Sequence, residues 1–324
     1  MKTIEQHASA SGKKHGLSEY YGVDAPLDDY IMAAIDGTGM FAGSSDSVRE
    51  QAVEKGVQNQ YLVAYAIHEW NAAIVKAEAG NFGADDAQHA WDEGWAFFHG
   101  PDEHYGCSPA KVMEKRAGDF GTADADGVAA TFAATEAAMN AGLTALQNED
   151  MQGVVDARDE VLKNLVIVYS QAVLKYTSKM DSNDTAEKYQ AEGYAFWKAI
   201  EAYAAPHMHD GCYNMAVGHK VMMMGEIDAS ACDAFIWTNG SQSTDENATN
   251  DTCYNTVNHM VSTDATDEAG CDGYSSMYYM DNYAATMMNN VLDLTDSSQL
   301  GTSYDVTAWL QPVWDHYGIT ADCI

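Results

Sequence analysis

Basic side chains are scarce in this chain: 16 Lys plus Arg stand against 49 Asp plus Glu in 324 residues, a formal net charge of -33. A surface this acidic repels phosphate and has no basic stripe from which counterions could be released. That excludes a nucleic-acid partner and disfavours anionic membranes. Long hydrophobic runs are missing too. No stretch of about 18 apolar residues occurs, so neither a transmembrane helix nor direct membrane insertion is expected. The opening Met1–His7 lacks an apolar h-region, which leaves a cytosolic chain or one in which an initiator Met replaces a signal peptide. Cysteine is absent from the first hundred residues and no CxxC pair occurs, which argues against zinc knuckles. Also missing are Gly-rich phosphate cradles, a Gly-x-Ser-x-Gly elbow, a Cys/His nucleophile pair and an Asp-x-[Asp/Asn]-x-[Asp/Asn]-Gly calcium loop.

What is present describes a folded protein. A 46 % hydrophobic share with 10 % aromatics supports a sizeable core and argues against a disordered acidic tail. Such an acidic field has small cations as natural partners, and the same acidity also serves solubility in salty water. Six cysteines (Cys107, Cys212, Cys232, Cys253, Cys271 and Cys323) imply up to three disulfides and an oxidising compartment, hence a secreted, periplasmic or cell-surface location. Sequons at Asn183, Asn239, Asn247 and Asn250 agree with a secretory route.

From about residue 25 to 205, Ala-rich segments carry apolar residues at spacings of three and four, the period of an amphipathic helix. After Pro206 the texture changes. Residues 238–275 are dense in Thr, Ser, Asn, Asp and Gly and read as long loops pinned by disulfides, with short helices expected at 276–292 and 303–317.

An internal repeat organises the helical part. Asp46–Tyr65 aligns with Asp150–Tyr169 without a gap at an offset of 104; further on, Glu93-Gly94-Trp95-Ala96-Phe97 matches Glu192-Gly193-Tyr194-Ala195-Phe196, and Pro101 to Cys107 matches Pro206 to Cys212. Two such units packed about a pseudo-twofold give one antiparallel helical bundle. The expected architecture is therefore all-α: an N-terminal extension (1–24), two helical repeats (25–120 and 121–225) and a Cys-containing, loop-rich C-terminal region (226–324). Cys107 and Cys212, equivalent in the two copies, are one candidate pair across the axis, with connectivity left open by spacing alone.

Two constellations carry ligand chemistry. His68-Glu69 stands where the second copy has Ala172 and Val173, so one copy has acquired a polar pair at a position that is apolar in the other. It reads as a ligand pair or as a self-satisfied core contact. His89 and Glu93 lie one helical turn apart, a recurrent way to present two metal ligands, and Glu93 recurs as Glu192. A carboxylate among aromatic neighbours needs a cation or a basic partner. The chain has only three Arg, leaving metal as one solution and Arg158 or Lys55 as the other. With the phenols Tyr65 and Tyr169, the set His68, Glu69, His89, Glu93 and Glu192 offers hard oxygen donors and imidazole. That suits iron, ferric iron above all, with manganese and zinc as alternatives. The Glu-x-x-His di-iron spacing is absent, which favours binding over redox catalysis. A second group, His104, His207 and His209 near the bundle end, reads as a copper or zinc trap or as exposed loop histidines. The run Met222-Met223-Met224 reads as core or as thioether ligands for copper.

The stretch from Lys55 through Gln60 and on to Val63-Ala64-Tyr65-Ala66-Ile67-His68-Glu69, followed by His89-Ala90-Trp91-Asp92-Glu93-Gly94-Trp95-Ala96-Phe97-Phe98, resembles the Fe-assimilating protein family of algae. The context around Tyr21 to Gly37 adds to it, and the resemblance is best over residues 25–220. It implies a secreted or periplasmic protein, induced by low iron or high CO2, that assists ferric iron uptake beside a membrane ferric reductase or transporter. It supplies no ligand assignment, so the residues above rest on the repeat. Two other classes stay open: a secreted metal-dependent hydratase of CO2 or bicarbonate, and a non-catalytic cell-surface structural protein.

Overall fold

The computed structural model describes residues 13–101, 105–214, 220–225, 229–232, 235–238, 252–255, 261–262, 271, 277–280 and 282–324. They divide into two compact units, one formed by Met1–Ala204 with Asn289–Ile324 and the other by Ala205–Met288. His104 and the sequons at Asn239, Asn247 and Asn250 lie outside the described residues.

The first unit is helical: α1 (Leu17–Tyr21), α2 (Pro26–Asp36), α3 (Asp46–Lys55), α4 (Leu62–Glu78), α5 (Ala87–His99), α6 (Pro109–Phe120), α7 (Ala130–Gln147), α8 (Met151–Thr177) and α9 (Ala186–Ala204). Local signals set the ends. Ser45, Ser108 and Asp150 accept from backbone N–H groups of the first turns of α3, α6 and α8, and Pro26 and Pro109 occupy first positions where a missing N–H costs nothing. Gly37 and Gly121 close α2 and α6 in the left-handed conformation.

Helix α8 is the axis of this unit, buried continuously from Asn164 to Val173. It packs against α4, α6, α7 and α9, and against α12 (Thr307–Tyr317) of the returning C-terminal tail. Trp314 of α12 donates to Ser170 Oγ at 3.1 Å, and Gln171 donates to the Cys323 carbonyl at 2.8 Å. The antiparallel helical bundle expected from sequence is thus observed, with α4 against α5 and α8 against both α7 and α9.

Both aligned segments, 46–65 and 150–169, are helical, with one difference. Between α3 and α4 the chain makes a π-helical turn, Gly56–Tyr61, where the second segment runs as unbroken α-helix. The aligned segments are equal in length, and α3, capped by Ser45, begins one position earlier in the alignment than α8, capped by Asp150. The turn buries three consecutive amides. Asn59 accepts from the Tyr169 hydroxyl at 3.1 Å, Gln60 donates to the Ala195 carbonyl at 3.2 Å and Gln58 to the Gly106 carbonyl at 3.4 Å. Gly56 is required there, because a Cβ would come within 2.9 Å of the Tyr30 ring.

In the second unit the expectation of loops is incomplete. The described residues form two three-stranded antiparallel sheets. One has the order β2 (Lys220–Gly225), β1 (Asp210–Asn214), β6 (Met277–Met280); the other has the order β3 (Phe235–Thr238), β4 (Thr252–Asn255), β5 (Val261–Ser262). Met222-Met223-Met224 lies in β2. A four-residue helix, α10 (Ala229–Cys232), lies between β2 and β3, and α11 (Tyr283–Val291) carries the chain back to the first unit. Two disulfides fall in this C-terminal part, Cys212–Cys232 and Cys253–Cys271, with Cα separations of 5.4 and 5.3 Å. The candidate pairing of Cys107 with Cys212 is corrected: Cys212 is bonded to Cys232, and Cys107 and Cys323 are free thiols.

Candidate metal site

Five of the seven ligand candidates, Tyr65, His68, Glu69, His89 and Glu93, lie on the paired helices α4 and α5. The helices approach closely because Gly94 has no side chain: a Cβ there would overlap the buried indole of Trp70. Glu69 precedes Trp70 and Glu93 precedes Gly94, so the same approach sets the two carboxylates beside each other at the helix edge. The electrostatics record it. Burial, and after it the Glu93 charge, raises the Glu69 carboxyl above its usual range, with Lys13, Lys76 and His89 acting the other way.

His89 Nε2 stands 3.5 Å from Glu93 Oε1, with both side chains about half exposed at 59 % and 45 %. The helical spacing of four therefore gives the expected pair, open to solvent and free to turn. Glu69, His89 and Glu93 make an oxygen-rich, imidazole-bearing edge of the kind that accepts hard or borderline cations. Among the described residues no three His, Cys, Asp or Glu side chains are already drawn together as a metal cage. Closing one on Glu69, His89 and Glu93 would need these side chains to turn toward one another.

His68 sits at this edge but is engaged differently. Its Nδ1 accepts the backbone N–H of Lys14 at 2.7 Å, so the ring proton resides on Nε2, which is 3.8 Å from Glu69 Oε1. Presenting Nε2 to a metal requires moving that proton to Nδ1 and breaking the Lys14 contact. Burial first, then the charges of Lys13, His15, Lys14 and Lys76, hold the imidazole at about 4 instead of its ordinary value, so it is neutral at physiological pH. Tyr65 is likewise occupied, since Lys13 Nζ donates to its hydroxyl at 2.8 Å and Phe97 covers its ring at 4.3 Å between centroids. These two residues anchor the segment before α1. Asn71 extends the anchor by donating to the Lys14 carbonyl at 2.7 Å, and Tyr203 donates to the His15 carbonyl at 2.6 Å.

The structure does not bring Glu192 and Tyr169 to this edge. Glu192 is buried in the bundle, where desolvation raises its carboxyl and Lys188, Lys55, a hydrogen bond from Tyr176 and Arg116 offset it. Basic partners thus surround it, Lys55 among them. Tyr169 is fully buried and spends its hydroxyl on Asn59, and burial pushes its phenol far up. His207 lies in a short 3-10 turn (Ala205–His207), and the His209 carbonyl accepts from the Ala284 N–H at 3.1 Å.

Sequence reasoning missed Lys13 and Lys14. They reach Tyr65 and His68 across 52 and 54 residues, and no local pattern marks a contact of that range. Among the described residues no helix is long and apolar enough to cross a membrane. No curated protein and no solved structure matches the chain. The family model described as Fea1, low iron-inducible periplasmic protein, matches residues 8–198, the span that holds the helical bundle and the α4/α5 edge. That match covers more than half of the sequence, and the chain belongs to the Fea1 family of low iron-inducible periplasmic proteins.

Proposed function

We propose that this protein binds ferric iron in the periplasm and assists its assimilation, holding the metal at the α4/α5 edge through Glu69, His89 and Glu93. The observation that carries the reading is the juxtaposition of Glu69 and Glu93. The Glu93 charge adds to the cost that burial imposes on ionising Glu69, and a multivalent cation between the two carboxylates removes that cost. Induction of the family by low iron supplies the choice of metal, and hard oxygen donors favour the ferric ion, with manganese and zinc as competitors. The net charge of -33 raises the local concentration of any cation near an exposed edge. His68 and Tyr65 act in this reading as supports that fix α4, and Glu192 and Tyr169 as bundle residues. A site half open to solvent suits capture and release to a membrane ferric reductase or transporter.

The test is elemental analysis of protein purified without metal-affinity resin and dialysed against equimolar iron, manganese, zinc and copper, beside Glu93→Ala. Retention of about one iron per chain in the wild type and loss in the variant is the expected result. Equal retention in both moves the metal elsewhere. No metal in either leaves the bundle as a scaffold and the reading fails.

A further inference from the structure

Away from the α4/α5 edge, the first unit holds a cavity of about 390 Å³ beneath α1 and α2, closed on its other side by α9. Its size falls at the lower end of pockets that take small organic molecules. Three tyrosines, Tyr21, Tyr30 and Tyr194, line it together with Leu27, Met40 and Lys198. The rings of Tyr30 and Tyr194 stack at 5.5 Å with 17° between their planes, so they form one packed aromatic wall.

Lys198 is the strong polar group of that wall. Its ammonium lies 5.5 Å from the Tyr21 centroid and 5.3 Å from that of Tyr194. It donates to Glu201 Oε2 at 2.5 Å and to Asn289 Oδ1 at 3.0 Å. An ammonium has three N–H donors, so one remains. Glu201 is engaged on both oxygens: Oε2 also accepts from the Tyr21 hydroxyl at 2.6 Å, and Oε1 accepts from Asn289 at 2.7 Å. The remaining N–H of Lys198 is a charged donor at that wall, and it calls for an oxygen acceptor on the ligand. The protein's net charge of -33 raises the cost of bringing in an anion.

We propose that the cavity is a binding site for a small, flat, uncharged carbonyl compound, its apolar body packed against the tyrosine rings and its oxygen on the third N–H of Lys198. The site is separate from the iron edge and its test is independent of metal.

Acetophenone, ethylbenzene and benzoate serve as probes, titrated into the full-length protein at low salt with binding followed by ligand-observed NMR. Acetophenone binds saturably, and ethylbenzene, which has the same shape without the oxygen, binds at least about tenfold more weakly. Ala33→Phe fills the cavity and abolishes acetophenone binding. Lys198→Met combined with Glu201→Gln removes the ammonium without leaving a lone buried carboxylate, and it lowers acetophenone affinity to the ethylbenzene level. Circular dichroism confirms that each variant is folded, and Ala33→Phe and the double variant probe the site independently. Absence of saturable acetophenone binding overturns the proposal, as does equal affinity for ethylbenzene. Tighter binding of benzoate than of acetophenone overturns its charge argument.

Discussion

The backbone N–H of Lys14 donates to Nδ1 of His68 at 2.7 Å, and this contact turns a residue with the look of a metal ligand into an anchor for the segment that leads into α1. Lys13 on Tyr65, Asn71 on the Lys14 carbonyl and Tyr203 on the His15 carbonyl hold the same segment. Leu17 and Leu27 then cover Ala64 of α4. A histidine kept neutral by burial and by surrounding lysines is well suited to accept that hydrogen bond, since protonation of Nδ1 would abolish it.

The anchor makes stability depend on pH in one direction. Unfolded His68 titrates near its ordinary 6.5 and the folded ring near 4, so between these values the unfolded chain binds the proton and the folded one does not. The stabilisation is complete above about pH 6.5 and declines as the pH falls toward 4. Urea denaturation at pH 7, 5.5 and 4.5 should show this decline in the wild type. It should be shallower in His68→Gln, whose amide can still accept from Lys14. Parallel pH profiles for the two proteins would remove His68 from this role.

Glu69 carries the opposite signature. Its folded carboxyl is raised, first by burial and then by Glu93, so its ionisation weakens the fold as the pH rises through the raised value. Glu93→Gln relieves part of this and should leave the metal-free protein at pH 7 as stable as the wild type or about 0.5 kcal/mol more so. The gain should shrink as the pH falls through the raised value of Glu69 and its carboxyl takes up a proton. Adding iron should raise the melting temperature of the wild type and leave that of the variant unmoved. A metal-free variant less stable than the wild type at pH 7 would mean that Glu93 has a structural partner instead.

Helix packing supplies a test of the bundle itself. A Cβ on Gly142 of α7 would overlap the six-membered ring of Trp91, whose indole N–H is already committed to the Met139 carbonyl at 3.0 Å. The ring cannot swing away without losing that bond in a buried place. Gly142→Ala should therefore cost roughly 1–3 kcal/mol, despite the better helix propensity of alanine. Equilibrium denaturation reads it, and an unchanged or increased stability would show that α5 and α7 are not in this contact.

The sequence carried the helices because their signals are local. Apolar spacing, the caps at Ser45, Ser108 and Asp150 and the prolines at Pro26 and Pro109 all act within a turn. The pair His89 and Glu93 was legible for the same reason, being one turn apart on a single helix. Glu192 was not. Its match to Glu93 in the repeat fixes the place of its backbone, whereas its surroundings come from Lys55, Arg116 and Tyr176 on other elements. The π turn at Gly56–Tyr61 and the strands after residue 209 also escaped. The amides of the first bond to Tyr169, Ala195 and Gly106, far along the chain, and the second depends on pairings between short segments of mixed composition.

The two free thiols close the account of cysteine. Cys107 ends a 3-10 turn just before α6, and the Cys323 carbonyl accepts from Gln171, which also donates to Thr122 just past the other end of α6. A twelve-residue helix is about 18 Å long, whereas a disulfide needs Cα atoms within about 7 Å. The thiols therefore stay apart in the native fold. Exposed Cys107 should be alkylated first under native conditions, and Cys323, half-buried with Sγ 3.6 Å from the Thr320 hydroxyl, more slowly. Denaturation without reductant should leave these two as the reactive thiols, and reduction should release the four held in Cys212–Cys232 and Cys253–Cys271. Peptide mapping under non-reducing conditions decides the pairing. A Cys107–Cys212 peptide would restore the bridge between equivalent repeat positions and overturn the one described here, because Cys212 cannot serve both partners.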